Sequence, residues 1–180
     1  MVAEVPEGLG AACELFSASG YAPEALLTDY LLPPALSESV GPARVEGFVI
    51  PVTVDDLAAN GLLAAEADAQ TCWERSAETL TARKDEIAGL AVASDERIEA
   101  CALYAQADAA SDVELLRLRS YVEDGGARLK CLLARLGAHG ARTFRLAKVH
   151  PAEISRDLLE TLGFRPAGRH LLFAAKAGAA

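Results

Sequence analysis

Aromatic residues and positive charge are both scarce in this sequence of 180 residues. Phe, Trp and Tyr together make up 6% of it, and 17 Lys and Arg residues stand against 26 Asp and Glu residues, for a net charge of −9. Nucleic acids and acidic membrane surfaces both bind basic surfaces, so we expect neither as a partner. The hydrophobic content of 52%, rich in alanine, indicates a globular protein whose core is built from small residues.

Paired cysteines and long apolar runs are missing as well. The four cysteines (Cys13, Cys72, Cys101 and Cys131) are widely separated, so we expect reduced thiols, and the three histidines have no ligand-like spacing with them. No stretch approaches the roughly 18 apolar residues of a membrane-spanning helix. The first residues also lack the basic region and apolar run of a signal peptide. Together these patterns predict a soluble cytoplasmic protein without a metal site.

The first 46 residues are predicted to be an N-terminal extension. Residues 7–19 predict a short helix that ends at Gly20, where a left-handed conformation costs little. The apolar run that follows ends at Pro33 and Pro34, and residues 35–46 are rich in Ser, Gly and Pro, which is typical of a linker. We therefore divide the chain into an extension, residues 1–46, and a domain, residues 47–180.

The domain alternates strands and helices. A short edge strand, "GFVIPVT", precedes two helices, for which Asp55 and either Ser76 or Thr79 are the predicted N-caps. A hairpin, a third strand ("DVELLRLRSYV"), a glycine-led helix and a further strand come next. A helix with Pro151 in its first turn and a closing strand complete the chain. This order predicts the α/β class, with a mixed sheet flanked by helices.

The third strand shows partial alternation of apolar and charged residues. Leu116 and Leu118 are predicted to share one face of this strand, and Arg117 and Arg119 the other. Such alternation is typical of a strand with one buried and one polar face.

Ten residues of the extension resemble ten residues near the end of the chain. "ELFSASGYAP", Glu14–Pro23, aligns without gaps with "DLLETLGFRP", Asp157–Pro166. Any helix that ends in Gly-aromatic-x-Pro would produce this similarity. Alternatively, the extension is the remnant of a preceding copy of the same fold. Both interpretations stay open at this point.

The order of elements and the phrase "LLETLGFRPAGRH" resemble the GNAT superfamily of acyl-CoA-dependent N-acetyltransferases. In that family the helix before the last strands typically ends in Leu-Gly-Phe, which here is Leu162, Gly163 and Phe164. The resemblance implies a central mixed sheet flanked by helices, acetyl-CoA as cofactor, and transfer of its acetyl group to a small-molecule or peptide amine. The pyrophosphate of the cofactor would lie at the start of the glycine-led helix, where free N–H groups and the helix dipole favour an anion.

The resemblance also places the cofactor-binding residues around the loop "RSYVEDGGARLK". Two carboxylates, Glu123 and Asp124, stand where the phosphates are expected, and the family's basic position falls on Tyr121. A second interpretation makes these carboxylates caps of the helix N-terminus. The predicted cofactor-binding residues are Leu118, Arg119, Val122, Gly125, Gly126, Ala127 and Arg128.

The catalytic residues implied by the family are incomplete. The position of the family's tyrosine acid is Leu159, which cannot donate a proton. We predict Tyr121 as the acid, with Tyr104 as the other phenol, and Glu114 as the base, with Glu99 as its alternative. A packed phenol and a solvated carboxylate explain the same residues without catalysis.

Two functions are therefore carried forward. The first is an N-acetyltransferase that works mainly by positioning its substrates, with backbone N–H groups of residues 115–119 polarising the thioester. The second is a catalytically inactive GNAT-fold module that binds a partner. A purely structural role in a homodimer is also compatible with the Ala-rich, aromatic-poor composition. The loop over residues 122–128 distinguishes them, because only an enzyme must leave an anion site open there.

Overall fold

The computed structural model describes residues 2–33, 46–63, 71–106, 112–141 and 143–175. Within these ranges the chain forms eight strands, five α-helices and two short 3-10 turns, at Trp73–Arg75 and Lys84–Glu86. The elements are β1 (Val2–Pro6), α1 (Gly10–Ala18), β2 (Tyr21–Leu32), β3 (Phe48–Pro51), α2 (Val54–Ala59), α3 (Ala77–Ala82), β4 (Ala88–Ala93), β5 (Ile98–Gln106), β6 (Asp112–Ser120), α4 (Ala127–Ala138), β7 (Thr143–Val149), α5 (Arg156–Thr161) and β8 (Arg165–Ala175).

All eight strands belong to one sheet, in the order β1-β8-β2-β7-β6-β5-β4-β3. Neighbouring strands are antiparallel except β6 and β7, which are parallel. The predicted α/β class with a mixed sheet is confirmed. The hairpin of β4 and β5 and the edge position of β3 are confirmed as well. Proline has no N–H to donate, and an edge strand tolerates Pro51 because no strand pairs on its open side among the described residues.

Side-chain hydrogen bonds identify the N-cap residues of α2 and α3. Thr53 caps α2 through a capping box, in which Thr53 Oγ1 accepts from Asp56 N at 3.1 Å and Asp56 Oδ2 accepts from Thr53 N at 2.8 Å. The prediction of Asp55 as N-cap is therefore wrong, because the box begins two residues earlier. Ser76 caps α3 by accepting from Thr79 N at 3.2 Å, as predicted.

The start of α5 also differs from the prediction. Ser155 is its N-cap and accepts a hydrogen bond from Leu158 N at 3.3 Å. Pro151 lies in a separate turn, in which His150 Nδ1 accepts from Ala152 N at 3.1 Å. The placement of Pro151 in the first turn of the helix was wrong, because the turn at His150 satisfies the local N–H groups before the helix begins.

Helices cover the sheet on both faces. On one face α4 and α5 contribute to the larger core cluster, and on the other α2 and α3 contribute to a smaller one. Leu132 and Leu159, both fully buried, belong to the larger cluster, and Leu57 and Leu80 belong to the smaller one.

A β-bulge in β6 makes Leu116 and Leu118, which are two positions apart, face opposite sides of the sheet. Leu103 pairs with Arg117 and Tyr104 pairs with Leu115, so Leu116 is the extra residue of the bulge. Leu116 belongs to the smaller core cluster, and Leu118 belongs to the larger one. The predicted common face of Leu116 and Leu118 is therefore wrong, because the bulge interrupts the two-residue period.

The residues that the sequence assigns to an extension contribute two strands to this sheet. β1 pairs with β8, and β2 lies between β8 and β7. α1 ends before Gly20, which has a φ of 86°, as predicted. Most of the predicted linker over residues 35–46 lies outside the described residues. The boundary at residue 46 stays a prediction, but both sides of it share one sheet.

The strands of the extension and the last strands of the chain form two similar units. The N-terminal unit is β1-α1-β2, residues 2–32, and the C-terminal unit is β7-α5-β8, residues 143–175. Each unit runs strand, helix, strand, and the second strand of each pairs with both strands of the other. The gap-free alignment of Glu14–Pro23 with Asp157–Pro166 sets the shift between the units at 143 positions.

The pairing of β2 with β8 obeys the same shift of 143. Leu27 pairs with His170, its own equivalent, and each of the four pairs between Thr28 and Leu31 has its equivalent among the pairs between Ala22 and Leu26. The two register shifts are equivalent as well: one lies between Pro23 and Ala25, and the other leaves Ala167 unpaired. Equivalent pairs are Ala22–Ala174 with Leu31–Arg165, Pro23–Phe173 with Tyr30–Pro166, Ala25–Leu172 with Asp29–Gly168, and Leu26–Leu171 with Thr28–Arg169.

The outer strands continue this relation. Val2 pairs with Ala174 in the same way that Leu31 pairs with Arg145. The match is lost near Lys148, which has a φ of 50° and lies where the β2–β7 register is irregular. The two units are therefore related by an approximate two-fold symmetry of register.

Candidate functional site

The loop between β6 and α4 has the backbone shape that its glycines permit. Gly125 and Gly126 both have positive φ, 62° and 84°, a conformation that other residues rarely adopt. A Cβ atom at Gly126 would lie 2.8 Å from the Leu158 side chain. Glycine at residue 126 therefore permits both the positive φ of the turn into α4 and the close approach to α5.

The carboxylate of Asp124 occupies the N-terminus of α4. Its Oδ1 accepts from Gly126 N at 2.9 Å, and its Oδ2 accepts from Arg128 N at 3.0 Å and from Arg128 Nη1 at 3.0 Å. Burial opposes ionisation, but these hydrogen bonds outweigh it and lower the pKa of Asp124 below its usual value. The capping interpretation of Asp124 is thus the one that the geometry matches, and the first free N–H groups of the helix are already paired.

The cation of the loop is also paired. Besides Asp124, Arg128 donates through Nε to Glu99 Oε2 at 2.8 Å, and these two bonds raise its pKa further. The side chains of Arg128 and Glu99 are 17% and 13% exposed. Glu99, the alternative base, is therefore a partner of Arg128. The adjacent cavity of about 200 Å³ is lined by Arg128 and three carboxylates, Glu46, Asp95 and Glu99.

The strands β6 and β7 separate soon after they meet. Their pairing covers only Asp112–Glu114 and Thr143–Arg145, so the rest of β6 has no partner on this side among the described residues. A cavity of about 20 Å³ remains on this part of β6. Its lining contains three arginines and one carboxylate, together with apolar residues: Thr71, Arg75, Leu116, Arg117, Leu118, Arg119, Glu153 and Ile154.

Arg75 fills this region with a buried charge that the sequence did not indicate. Its side chain is 3% exposed, and its Nη2 donates to Glu153 Oε2 at 2.7 Å and to the Lys148 carbonyl oxygen at 3.2 Å. Its Nε and Nη1 have no hydrogen-bond partner among the described residues. The partners are 73 and 78 positions away in sequence, so no local pattern could have identified the group.

Lys148 connects the same region to the N-terminal unit. Its Nζ lies 3.0 Å from Glu4 Oε2 in β1 and 2.9 Å from Glu74 Oε1. Its backbone N donates to Asp29 Oδ1 in β2 at 2.8 Å. We call Glu4, Asp29, Arg75, Lys148 and Glu153 the buried charge network, because ion pairs and hydrogen bonds link β1, β2, β7 and the turn that carries Arg75.

The two predicted catalytic residues are not brought together. Glu114 and Tyr121 are seven residues apart along one extended segment, or roughly 20 Å at the usual rise of a strand. Tyr121 Oη lies 3.4 Å from the Leu62 carbonyl oxygen and 3.4 Å from Cys101 Sγ, and burial first, then Cys101, raises the pKa of the phenol far above its usual value. The Tyr121 hydroxyl is therefore bonded inside the protein, near the end of α2.

The remaining predicted residues divide between the core and the loop. Leu118 is buried in the larger cluster, and Arg119 lies over the Tyr121 ring with its guanidinium carbon 5.7 Å from the ring centre. The Val122 carbonyl accepts from Ser120 Oγ at 2.8 Å, and Ala127 N donates to the Asp124 carbonyl at 3.3 Å. Only the residues from Asp124 to Arg128 form a compact group.

Three further properties follow from the described residues alone. They contain no group of three or more His, Cys, Asp or Glu side chains that could hold a metal ion. None of their helices is long and apolar enough to cross a membrane. The four cysteines are free thiols, and Cys72 and Cys101 are buried.

Comparison with known proteins identifies the fold. No protein-family model and no curated protein matches the sequence. Among solved structures, a tandem GNAT protein from the clavulanic acid biosynthesis pathway aligns with 99% of this chain and 64% of its own, with a TM-score of 0.65 and 17% identity. The chain has the GNAT fold. This confirms the fold that the sequence resemblance implied.

Two further GNAT structures give the same result. GCN5-related N-acetyltransferases from Sphaerobacter thermophilus and Kribbella flavida each have a TM-score of 0.61 and 16% identity to this chain. They align with 96% and 98% of it, and with 58% and 68% of their own chains. At such identities the comparison shows the GNAT fold alone. The chain spans about two thirds or less of the length of most of these structures.

Proposed function

We propose that this chain is a GNAT-fold binding module that does not transfer acetyl groups. The observation that carries the proposal is the Asp124 carboxylate, which accepts from the N–H groups of Gly126 and Arg128 at 2.9 and 3.0 Å. A pyrophosphate needs those N–H groups and would meet a fixed negative charge there. The residues of this loop therefore do not fit acetyl-CoA in the arrangement described.

The small cavity on β6 supports the same proposal. The cavity on β6 holds about 20 Å³, little more than the roughly 10–15 Å³ that one water molecule needs. Arg75 and its ion pair with Glu153 line this cavity. An acyl thioester would have to displace a buried ion pair, and removing one partner of such a pair leaves an uncompensated charge.

The surroundings add a third argument. The cavity beside Arg128 is lined by Glu46, Asp95 and Glu99 as well, and Arg128 is already paired with two carboxylates. This excess of negative charge repels a polyphosphate. The family's acid position is Leu159, a fully buried core residue. A module that binds through its surface needs none of these groups.

A second candidate remains the N-acetyltransferase that the resemblance implied, with acetyl-CoA as donor and an amine as acceptor. Two features favour it: Gly125 and Gly126 keep the loop shape, and residues 115–120 of β6 have no β7 partner. In that case the cofactor would be bound by Leu118, Arg119, Val122, Gly125, Gly126, Ala127 and Arg128, with Glu114 as base and Tyr121 as acid. Asp124 would first have to leave the helix N-terminus.

Isothermal titration of the full chain with acetyl-CoA and with CoA at low salt tests the proposal. We expect no binding up to millimolar ligand, for the chain itself and for the control Glu123→Gln, because Glu123 is exposed and the helix N–H groups bind Asp124 instead. Micromolar binding that Gly126→Glu abolishes would contradict the module and support the enzyme. Binding that appears only in Asp124→Ala would identify Asp124 as the group that blocks the site.

A further inference from the structure

The helix of the N-terminal unit exposes the face that its equivalent buries. α1 has no buried residue, and Leu15 is 66% exposed. The residue 143 positions later is Leu158, which lies against Gly126 at the start of α4. Phe16 is half-buried, whereas its equivalent, Leu159, is fully buried in the larger core cluster. The difference arises because α4 covers α5, and no described element covers α1 in the same way.

The strand of the N-terminal unit shows the same difference. β7 has β2 on one side and the parallel strand β6 on the other. Its equivalent, β1, pairs with β8 on one side and ends the sheet among the described residues. The β6–β7 pairs end at Arg145, and the equivalent residue, Val2, is 58% exposed. An open strand edge beside an uncovered apolar helix face is a surface that readily pairs with another strand.

The internal symmetry indicates what would occupy this surface. β6 and α4 occupy the equivalent place on the C-terminal unit, so a strand and helix of that type fit both the open edge and the open face. We propose that the outer edge of β1 and the exposed face of α1 form a docking surface for the β6–α4 part of a second GNAT-fold domain. The new strand would run parallel to β1 and pair near Val2.

The comparison with the tandem GNAT protein agrees with this occupant. The chain aligns over 99% of its residues with 64% of that protein, which is more than one of two equal halves. One complete fold together with the last unit of a neighbouring copy would give such a share. This proposal does not depend on the proposed function, since neither β1 nor α1 contributes to the loop at Asp124.

A tandem fusion tests the docking surface directly. Residues 46–144 of this chain are joined ahead of Val2, because a shift of 143 makes residue 144 the equivalent of residue 1. We expect the amides of α1 to exchange more slowly with solvent in the fusion than in the single chain. The unfolding of residues 2–175 should also move upward by about 4 °C or more.

Leu15→Arg separates docking from mere attachment. In the single chain this change lies on an exposed side chain and should leave the melting temperature unchanged. In the fusion it should remove the gain in α1 protection and in melting temperature. An exposed control, Glu14→Arg, should keep most of the gain, because the equivalent of Glu14 is the exposed Asp157.

Four outcomes would overturn the proposal. The first is α1 exchange in the fusion as fast as in the single chain, and the second is equal effects of Leu15→Arg in both proteins. The third is a single chain that forms a stable dimer split by Leu15→Arg, since β6 and α4 of a second copy already contact its own β7 and α5, and another surface would then be the occupant. An insoluble fusion counts against the surface too, because an extension that fits should fold onto it.

Discussion

The N-terminal and C-terminal units follow the same path with different burial. Phe164, Leu162 and Leu159 of the C-terminal unit are at most 1% exposed. Their equivalents in the N-terminal unit, 143 positions earlier, are Tyr21, Ser19 and Phe16, of which none is buried. The local sequence pattern suffices for strand, helix and strand in both units. What differs is the covering helix, and we expect α5 to be the more stable of the two, because tertiary packing supplies most of the stability of short helices.

The units also differ in charge at their first strands. β7 carries Lys148 with positive φ, and Arg75, Asp29, Glu4 and Glu74 contact it. The equivalent position in β1 is Val5, a buried apolar residue. The symmetry of register is lost at this position. The buried charge network is therefore centred on a lysine of β7 whose equivalent in β1 is apolar.

The largest expected effect comes from truncating equivalent residues in the two helices. Leu159→Ala should lower the free energy of unfolding by about 4 kcal/mol, because the leucine is fully buried and leaves a cavity. Phe16→Ala should cost clearly less, although it removes a larger side chain, since Phe16 is half-buried and stacks on Phe173 at 5.7 Å. Urea unfolding of both variants measures the difference.

Equal losses at the two positions would contradict the comparison. They would mean that α1 is covered in solution to the same extent as α5. Ser17→Ala serves as the control on α1, because its hydroxyl makes only an exposed bond to the Cys13 carbonyl and should matter little.

The next effect should come from the charge network. Arg75→Met should cost about 3 kcal/mol, because it leaves Glu153 without its closest cation and frees the Lys148 carbonyl in a buried region. Arg83→Met is the matched control: Arg83 is 38% exposed and pairs with an exposed Glu86, so its loss should be below about 1 kcal/mol. Thermal unfolding of both variants measures this.

If Arg75→Met lowered the free energy of unfolding as little as Arg83→Met, the buried charge network would not stabilise the strands that it links. Lys148 and its equivalent Val5 would then differ in residue type but not in their contribution to stability. Amide exchange along β7 and β1 would report the same result locally, because only β7 should lose protection when Arg75 is replaced.

The order of elements was predictable because it depends on local signals. Gly20 and Gly163 end helices, the apolar spacing of residues 127–138 indicates a helix, and the charged turn marks the hairpin. The position of β2 between β7 and β8 was not predictable. Strand pairing over more than 110 residues depends on which edge is open in the folded sheet, and no local pattern contains that information.

The candidate site was predictable in part for the same reason. The capping role of Asp124 follows from its place just ahead of a helix, so it was among the interpretations that the sequence offered. Arg75 gave no signal, because its partners Glu153 and Lys148 lie more than 70 positions away. The bulge at Leu116 was missed because a two-residue period shows no sign of an inserted residue.

A smaller effect is expected at the start of α4, the helix that covers α5 and leaves α1 uncovered. Asp124→Asn should weaken the start of α4 by about 1–2 kcal/mol at neutral pH, because it removes a charged acceptor from Gly126 N and Arg128. Since the folded state lowers the pKa of Asp124, its contribution is complete above the ordinary value of about 3.9 and is lost as the pH falls through the lower folded value.

The difference between Asp124→Asn and the unchanged chain should therefore shrink below about pH 4. Urea unfolding at pH 7 and at pH 3 measures it, with Glu123→Gln as a control that changes little at either pH. A difference that stays constant between the two pH values would show that Asp124 does not act as a charged cap.

The smallest effect tests the symmetry of register at one pair of equivalent positions. Ala25 and Gly168 are equivalent, but a Cβ atom at Gly168 would lie 2.8 Å from Asp29 Oδ2. Asp29 is held by Lys148 N, so Gly168→Ala should cost about 1 kcal/mol by overpacking. With Asp29→Ala in the same chain the change should cost nothing further, because the obstructing carboxylate is gone. An equal cost in both backgrounds would mean that the glycine is required by the backbone, and the two units would then differ in conformation as well as in their neighbours.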